Sequence, residues 1–164
     1  MEKMKNIKTK LQALYEQIQI EGEAAIQEAA SAFFKAVPEA YCITWTQYTP
    51  YFMDGEECIF GVGEVILRIH PNHREELLGI NDPVDDLDEE DDLDTQFELL
   101  EQNLDDSDSD NLINTPRSKE IKQAFDNFCS IITSNDEILK IIFGDHVQVI
   151  VTEDEISQTE YEHE

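Results

Sequence analysis

Residues 43–61 read ITWTQYTPYFMDGEECIFG, and how this stretch is read decides the fold. Tyr41 to Thr49 and Glu57 to Ile69 are rich in β-branched and aromatic residues, with the turn dipeptide Asp54-Gly55 between them, so they predict a β-hairpin whose loop is longer than two residues. Gly61 and Gly63 fall inside the second strand and predict a bulge or a close approach by another backbone. Alternation along the first strand sends Tyr41, Ile43 and Trp45 to one side and Cys42, Thr44, Thr46 and Tyr48 to the other. Pro71 ends the second strand, and no regular helix is expected around it.

Outside this hairpin the apolar spacing turns helical. Ile7, Leu11, Leu14 and Ile18 follow a 4-3-4 pattern, which Ile26, Ala29 or Ala30, and Phe33 resume, predicting a helix from residue 3 to about 36. Pro38 closes it, and Gly22 is the expected point of a kink or an interruption, since glycine costs about 1 kcal/mol relative to alanine inside a helix. Thr115-Pro116 reads as a cap followed by proline at the first helical position, and Ile121, Phe125, Phe128 and Ile132 then share a face. Ser134 and Glu137 are spaced as a capping box for a short helix through Ile138, Leu139, Ile141, Ile142 and Phe143 that Gly144 stops. Val147, Val149 and Val151 alternate as a strand, with 155–161 as its partner. The two hairpins most economically form one antiparallel sheet with helices on a single face. The expectation is one α+β domain over 1–164: a long N-terminal helix, two β-hairpins, two further helices and an acidic insertion over 82–114.

That insertion dominates the electrostatics. From Asp82 to Asp110 there are fifteen acidic residues and no Lys or Arg, and like-charge blocks of this length are ordinarily solvated. Leu93, Phe97, Leu100 and Leu104 nevertheless keep helical spacing within it, so one short helix is expected between solvated ends. The whole chain carries −27, from 38 acidic against 11 basic residues. The insertion accounts for little more than half of this, so the remainder is acidic on its own account. Such a charge disfavours direct binding to nucleic acid or an anionic membrane and favours cationic partners. Lys3, Lys5, Lys8 and Lys10 concentrate over a third of the basic charge at the amino terminus, where it can pair with the protein's own acids or an acidic neighbour.

The motifs for chemistry are thin. Asp106, Asp108 and Asp110 alternate like the first ligands of a calcium loop, but Asn111 and Arg117 stand where that loop needs Gly and Glu, so a solvated linker is the reading. His70 and His73 are spaced for a metal without further ligands nearby; His146 follows a helix end, where a turn role suits it. Cys42, Cys58 and Cys129 form no CxxC pair and read as packed thiols. There is no Gly-rich phosphate loop, no G-x-S-x-G and no HExxH. No enzyme activity, cofactor or metal is expected. The amino terminus lacks the apolar core of a signal peptide, and no stretch approaches a membrane span, so a soluble protein of the cytoplasm is expected.

The segments WTQYTPYFMDG (45–55) and FGDHVQVIVT (143–152) resemble those of small acidic proteins encoded by bacteriophages and prophages, a group without an assigned biochemical function. The resemblance implies a viral or prophage origin, hence a bacterial host cell, and it transfers no site residues. The residues themselves favour a non-enzymatic acidic binding protein that engages a basic host protein, as a nucleic-acid mimic inhibiting a defence or nucleic-acid-binding protein. The alternative is a structural, assembly or self-associating accessory component of a phage-like particle, with the amino-terminal helix pairing as a homodimer. Expected partner-binding residues are Tyr48, Tyr51, Phe52 and Asp54 of the first hairpin, since aromatic residues are enriched in interfaces. In the insertion they are Phe97 and Leu100, with Asp85, Asp86, Asp88, Glu89, Glu90, Asp91 and Asp92 supplying long-range attraction.

Overall fold

Strand β1 (Ala40–Tyr48) is paired along both edges and organises the sheet around it. In the computed structural model, which describes residues 1–51, 55, 57–79 and 107–161, β1 lies antiparallel to β2 (Gly61–Val62) and β3 (Ile66–Ile69) on one side. On its other side lies β4 (Val147–Val151), followed by β5 (Ile156–Glu160), again antiparallel. The two predicted hairpins thus join as one five-stranded antiparallel sheet. Gly63 separates β2 from β3: its N–H donates to the Thr46 carbonyl at 2.7 Å, and a Cβ there would meet Thr46 Oγ1 at 2.9 Å. This is the close backbone approach that the glycine spacing predicts.

A second irregularity shifts the register of β1 between Ala40 and Cys42, and it corrects the predicted alternation. Ala40, Ile43 and Trp45 enter the core, whereas Tyr41 leaves it and rests half-buried against His70, their rings 5.0 Å apart and edge-on. Cys42 and Thr44, on the opposite side of the strand, are buried as well.

Helix α1 (Glu2–Ala36) runs unbroken for 35 residues, so Gly22 does not interrupt it. A Cβ on Gly22 would come within 2.6 Å of Ile142 Cδ1; the missing side chain lets α1 lie close against a later helix. Only the carboxy-terminal half of α1 contributes to the core, through Ile26, Ala30, Phe33 and Phe34. Helix α3 (Pro116–Thr133) starts as its sequence predicts, with Thr115 Oγ1 accepting the Ser118 N–H at 3.1 Å. Ile121, Phe125, Phe128 and Ile132 bury one face of it. Helix α4 (Asp136–Phe143) has Asn135, not Ser134, as its cap residue, and the predicted capping box does not form; the Asn135 amide is spent on the Ile131 carbonyl instead. The carboxy-terminal end of α1 is clamped by Arg117, whose Nε and Nη2 donate to Glu39 at 2.8 Å each while Nη2 also reaches the Ala36 carbonyl.

Pro71 does not merely end a strand: it opens helix α2 (Pro71–Leu78). The proline ring is pre-set for a first helical position where no N–H is needed, and Gly79, at φ 65°, ends the helix. The larger correction concerns Asp108. Residues 108–111 form a 3₁₀ turn, and the Asp108 side chain is buried, with Oδ2 accepting from the Ile69 N–H at 2.8 Å and from Arg74 Nη1 at 2.7 Å. Arg68 Nη1 lies 4.0 Å from Oδ1, and Ser107 Oγ accepts the Leu67 N–H at 3.0 Å. The outward N–H groups of β3 are thereby satisfied by side chains instead of by another strand, which closes an edge that would otherwise be open. Ser107 to Asn111 thus belong to the folded body, although the charge pattern places them in the insertion.

Removing one partner of a buried ion pair costs about 3–5 kcal/mol, because the other charge is left without compensation. Asp108→Ala is therefore expected to lower unfolding stability by about that amount in urea melts, whereas Asp110→Ala, at an exposed position two residues on, should change it by less than about 0.5 kcal/mol.

Candidate functional site

A polar chain inside the core positions the surface around the end of β1. Trp45 Nε1 donates to Gln47 Oε1 at 3.1 Å, and Gln47 Nε2 donates to the carbonyls of Leu139 at 3.0 Å and Gly144 at 2.7 Å. Gln47 is fully buried, so its amide groups need these partners, and the two carbonyls lie in the middle of α4 and at the glycine that caps its end. The loop after α4 is fixed as a result. Gly144 adopts φ 92° and His146 φ 54°, left-handed conformations that reverse the chain into β4.

Between them, Asp145 reaches back to β1. Its Oδ1 accepts the Thr49 N–H at 2.7 Å and its Oδ2 the Thr49 hydroxyl at 2.6 Å, while Oδ1 also accepts the His146 N–H at 2.9 Å. Burial alone would raise the Asp145 pKa, but the Thr49 hydroxyl and N–H, the His146 N–H and the nearby imidazole together hold it below the usual carboxylate value. The His146 ring stacks on Tyr51 at 4.7 Å with planes 12° apart, and on Tyr48 at 6.5 Å and 29°. Tyr48 in turn meets Tyr161 at 5.6 Å. Tyr51 is 71% exposed and forms the outer wall of this aromatic stack.

Tyr48 and Tyr51, two of the expected partner-binding residues, both lie against the His146 ring, with Asp145 beside them. Phe52, Asp54, Asp85, Asp86, Asp88, Glu89, Glu90, Asp91, Asp92, Phe97 and Leu100 lie outside the described residues, as does the predicted helix through Leu93 and Leu104. Sequence reasoning misses Gln47, although it stands two residues beyond Trp45 on the core-facing side of a strand, where an amide signals a specific partner. Asp145 carries no pattern; its role appears only when Thr49 and the α4–β4 loop are brought together.

A concavity of about 500 Å³ opens at the other end of the sheet between Phe34, Tyr41, His70 and the acidic turn Glu153-Asp154-Glu155. Burial first, and the neighbouring His73 second, lower the pKa of His70. His73 lies one turn into α2, and no cluster of three His, Cys, Asp or Glu suited to a metal occurs among the described residues. The three cysteines are free. Cys42 is buried, and burial pushes the Cys129 thiol up to about 11, so that thiol remains protonated near neutral pH. Both regions offer aromatic surface beside carboxylates, an arrangement that receives ammonium or guanidinium groups by cation–π and ionic contact.

No protein-family model, curated protein or solved structure matches this chain. No helix among the described residues is long and apolar enough to cross a membrane.

Two measurements check this geometry. Gln47→Met removes the amide while keeping comparable bulk, leaving the indole N–H and two carbonyls short of partners; a loss of about 3 kcal/mol is expected in chemical denaturation. The Asp145 pKa is depressed on folding, so the stabilisation it brings is complete above about pH 5 and is lost as pH falls through the folded value, which lies below the unfolded ~3.9. Thermal melts between pH 6 and pH 3 should show a smaller acid-induced drop for Asp145→Asn than for the unsubstituted protein.

Proposed function

We propose that this protein is a non-enzymatic acidic binding protein of bacteriophage or prophage origin, acting in the host cell on a basic host protein, with its negative surface occupying a site that otherwise receives nucleic acid. The observation that carries this reading is the fate of the arginines. The chain has three, Arg68, Arg74 and Arg117, and all are engaged internally: two converge on buried Asp108, and the third holds Glu39 and Glu120. Arginine is the residue best shaped for phosphate recognition, and here it is spent on the fold. The carboxylates are distributed in the opposite manner. Glu153, Asp154 and Glu155 stand exposed on the turn before β5, beside Tyr41 and His70, and Glu160 stands exposed at the far end of β5.

A surface of this kind attracts a cationic partner over long range, and the aromatic groups at Tyr48, Tyr51 and Tyr41 give the contact an apolar component that charge alone lacks. An electrostatic interaction with a basic groove weakens as salt shortens the screening length from about 10 Å at 0.1 M toward about 3 Å at 1 M. In a pull-down from bacterial lysate at 50 mM salt, the immobilised protein is expected to retain nucleic-acid-binding or defence proteins with basic surfaces. These should elute with added double-stranded DNA or with 0.5 M salt, and Tyr51→Ala should retain them at least several-fold less. Retention of no basic protein at low salt, or retention indifferent to both competitors, would overturn the reading.

A further inference from the structure

Among the described residues, nothing packs beneath the first four turns of α1. Met4, Ile7, Leu11 and Leu14 are 70%, 59%, 49% and 52% exposed, and Ile18 is the first of the series to be partly covered. Their spacing of 3-4-3-4 is that of a coiled-coil seam, and it fades where Gly22 begins the packing of α1 against α4. Lys3, Lys8 and Lys10 flank the seam on both sides, and none of them forms an ion pair among the described residues.

We propose that this seam is occupied by the same segment of a second copy, running antiparallel, so that the protein is a two-fold dimer joined through its amino-terminal helices. Two physical arguments select the copy and its direction. A parallel pair would set Lys3 of one helix beside Lys8 of the other, placing like charges along both flanks of the seam. The antiparallel pair that matches Ile7 with Ile18 and Leu11 with Leu14 sets Lys8 across the flank from Tyr15 and Lys10 across from Gln17, and no lysine faces another. The second argument concerns the bodies. Each copy carries −27, and a parallel pair would bring both bodies to one end of the joint. In the antiparallel pair each body begins near residue 22, at the far end from its counterpart, and a rise of 1.5 Å per residue separates them by roughly 28 Å. That exceeds three screening lengths at physiological salt, about 8 Å each, so the charge that would oppose a parallel dimer scarcely acts on this one.

The area sets the strength. Each large aliphatic side chain of the seam presents on the order of 100 Å², so two copies with their flanking Tyr15 and lysine stems hide roughly 1,000 Å². This is the lower edge of what a specific pair requires, and the dimer is therefore one that dissociates on dilution.

Sedimentation of the full chain from about 1 to 200 µM should show the mass rising from one copy to two, with little change between 0.1 and 0.5 M salt. Leu11→Glu should remain at the mass of one copy throughout while its thermal midpoint stays within about 2 °C, because Leu11 lies outside the core. Direction is read by disulfide capture under mild oxidation, with the unsubstituted protein as reference for its own cysteines. An equimolar mixture of Ile7→Cys and Ile18→Cys should cross-link, whereas Ile7→Cys alone should not. A single-copy mass at every concentration, a dimer that survives Leu11→Glu, or efficient cross-linking of Ile7→Cys with itself would each overturn the proposal.

Discussion

The hydrogen-bonded chain from Trp45 through Gln47 to the end of α4 is the constraint on which the rest of the structure turns. Apolar packing brings β1 and α4 together but does not say where along the strand the helix must stop. The Gln47 amide does say so, because its N–H groups need acceptors inside the core and find them at Leu139 and Gly144. Once those are engaged, the chain must reverse within Gly144, Asp145 and His146 to enter β4 in register with β1. The position of Asp145 against Thr49 and of His146 between Tyr48 and Tyr51 results from that reversal. A buried polar network thus sets the geometry of a surface that it does not itself touch.

The electrostatics have a comparable division. A compact state with this net charge repels itself, and the three arginines are each set against carboxylates within the fold. Arg68 and Arg74 face a buried carboxylate; Arg117 ties the end of α1 to the start of α3 through Glu39, whose pKa its guanidinium lowers. The exposed turn before β5 and the strand itself carry carboxylates toward solvent, so the body is held together by its core and its internal ion pairs while this part of its surface presents a single sign.

Much of the fold is legible in the sequence because it is local. Thr115-Pro116, the Ile121 to Ile132 stripe, the alternation of Val147 to Val151 and the Gly61 and Gly63 interruptions each encode their element within a few residues, and each element is present. The features that escape detection depend on pairings across the chain. Asp108 looks like one more residue of an acidic run until β3 supplies Leu67 and Ile69 with no strand to receive their N–H groups. Pro71 reads equally as a terminator or an initiator, and HREELL shows too weak an apolar period to decide between them. Strict alternation assigns Tyr41 to the core, and a single register shift reverses that assignment. Among the candidate site residues, Tyr48 and Tyr51 are proposed from composition alone, whereas His146 and Asp145 join them only through the fold.

The closure at Asp108 has a consequence for the chain that precedes it. Helix α2 ends at Gly79 beside Ile113, the Ile113 N–H donates to the Leu77 carbonyl at 2.8 Å, and Ser107 and Asp108 are fastened to β3. The residues on either side of 80–106 are therefore each anchored by groups belonging to the sheet and its helices. With both ends so fixed, the distance that residues 80–106 must bridge is set by the folded body and not by their own length.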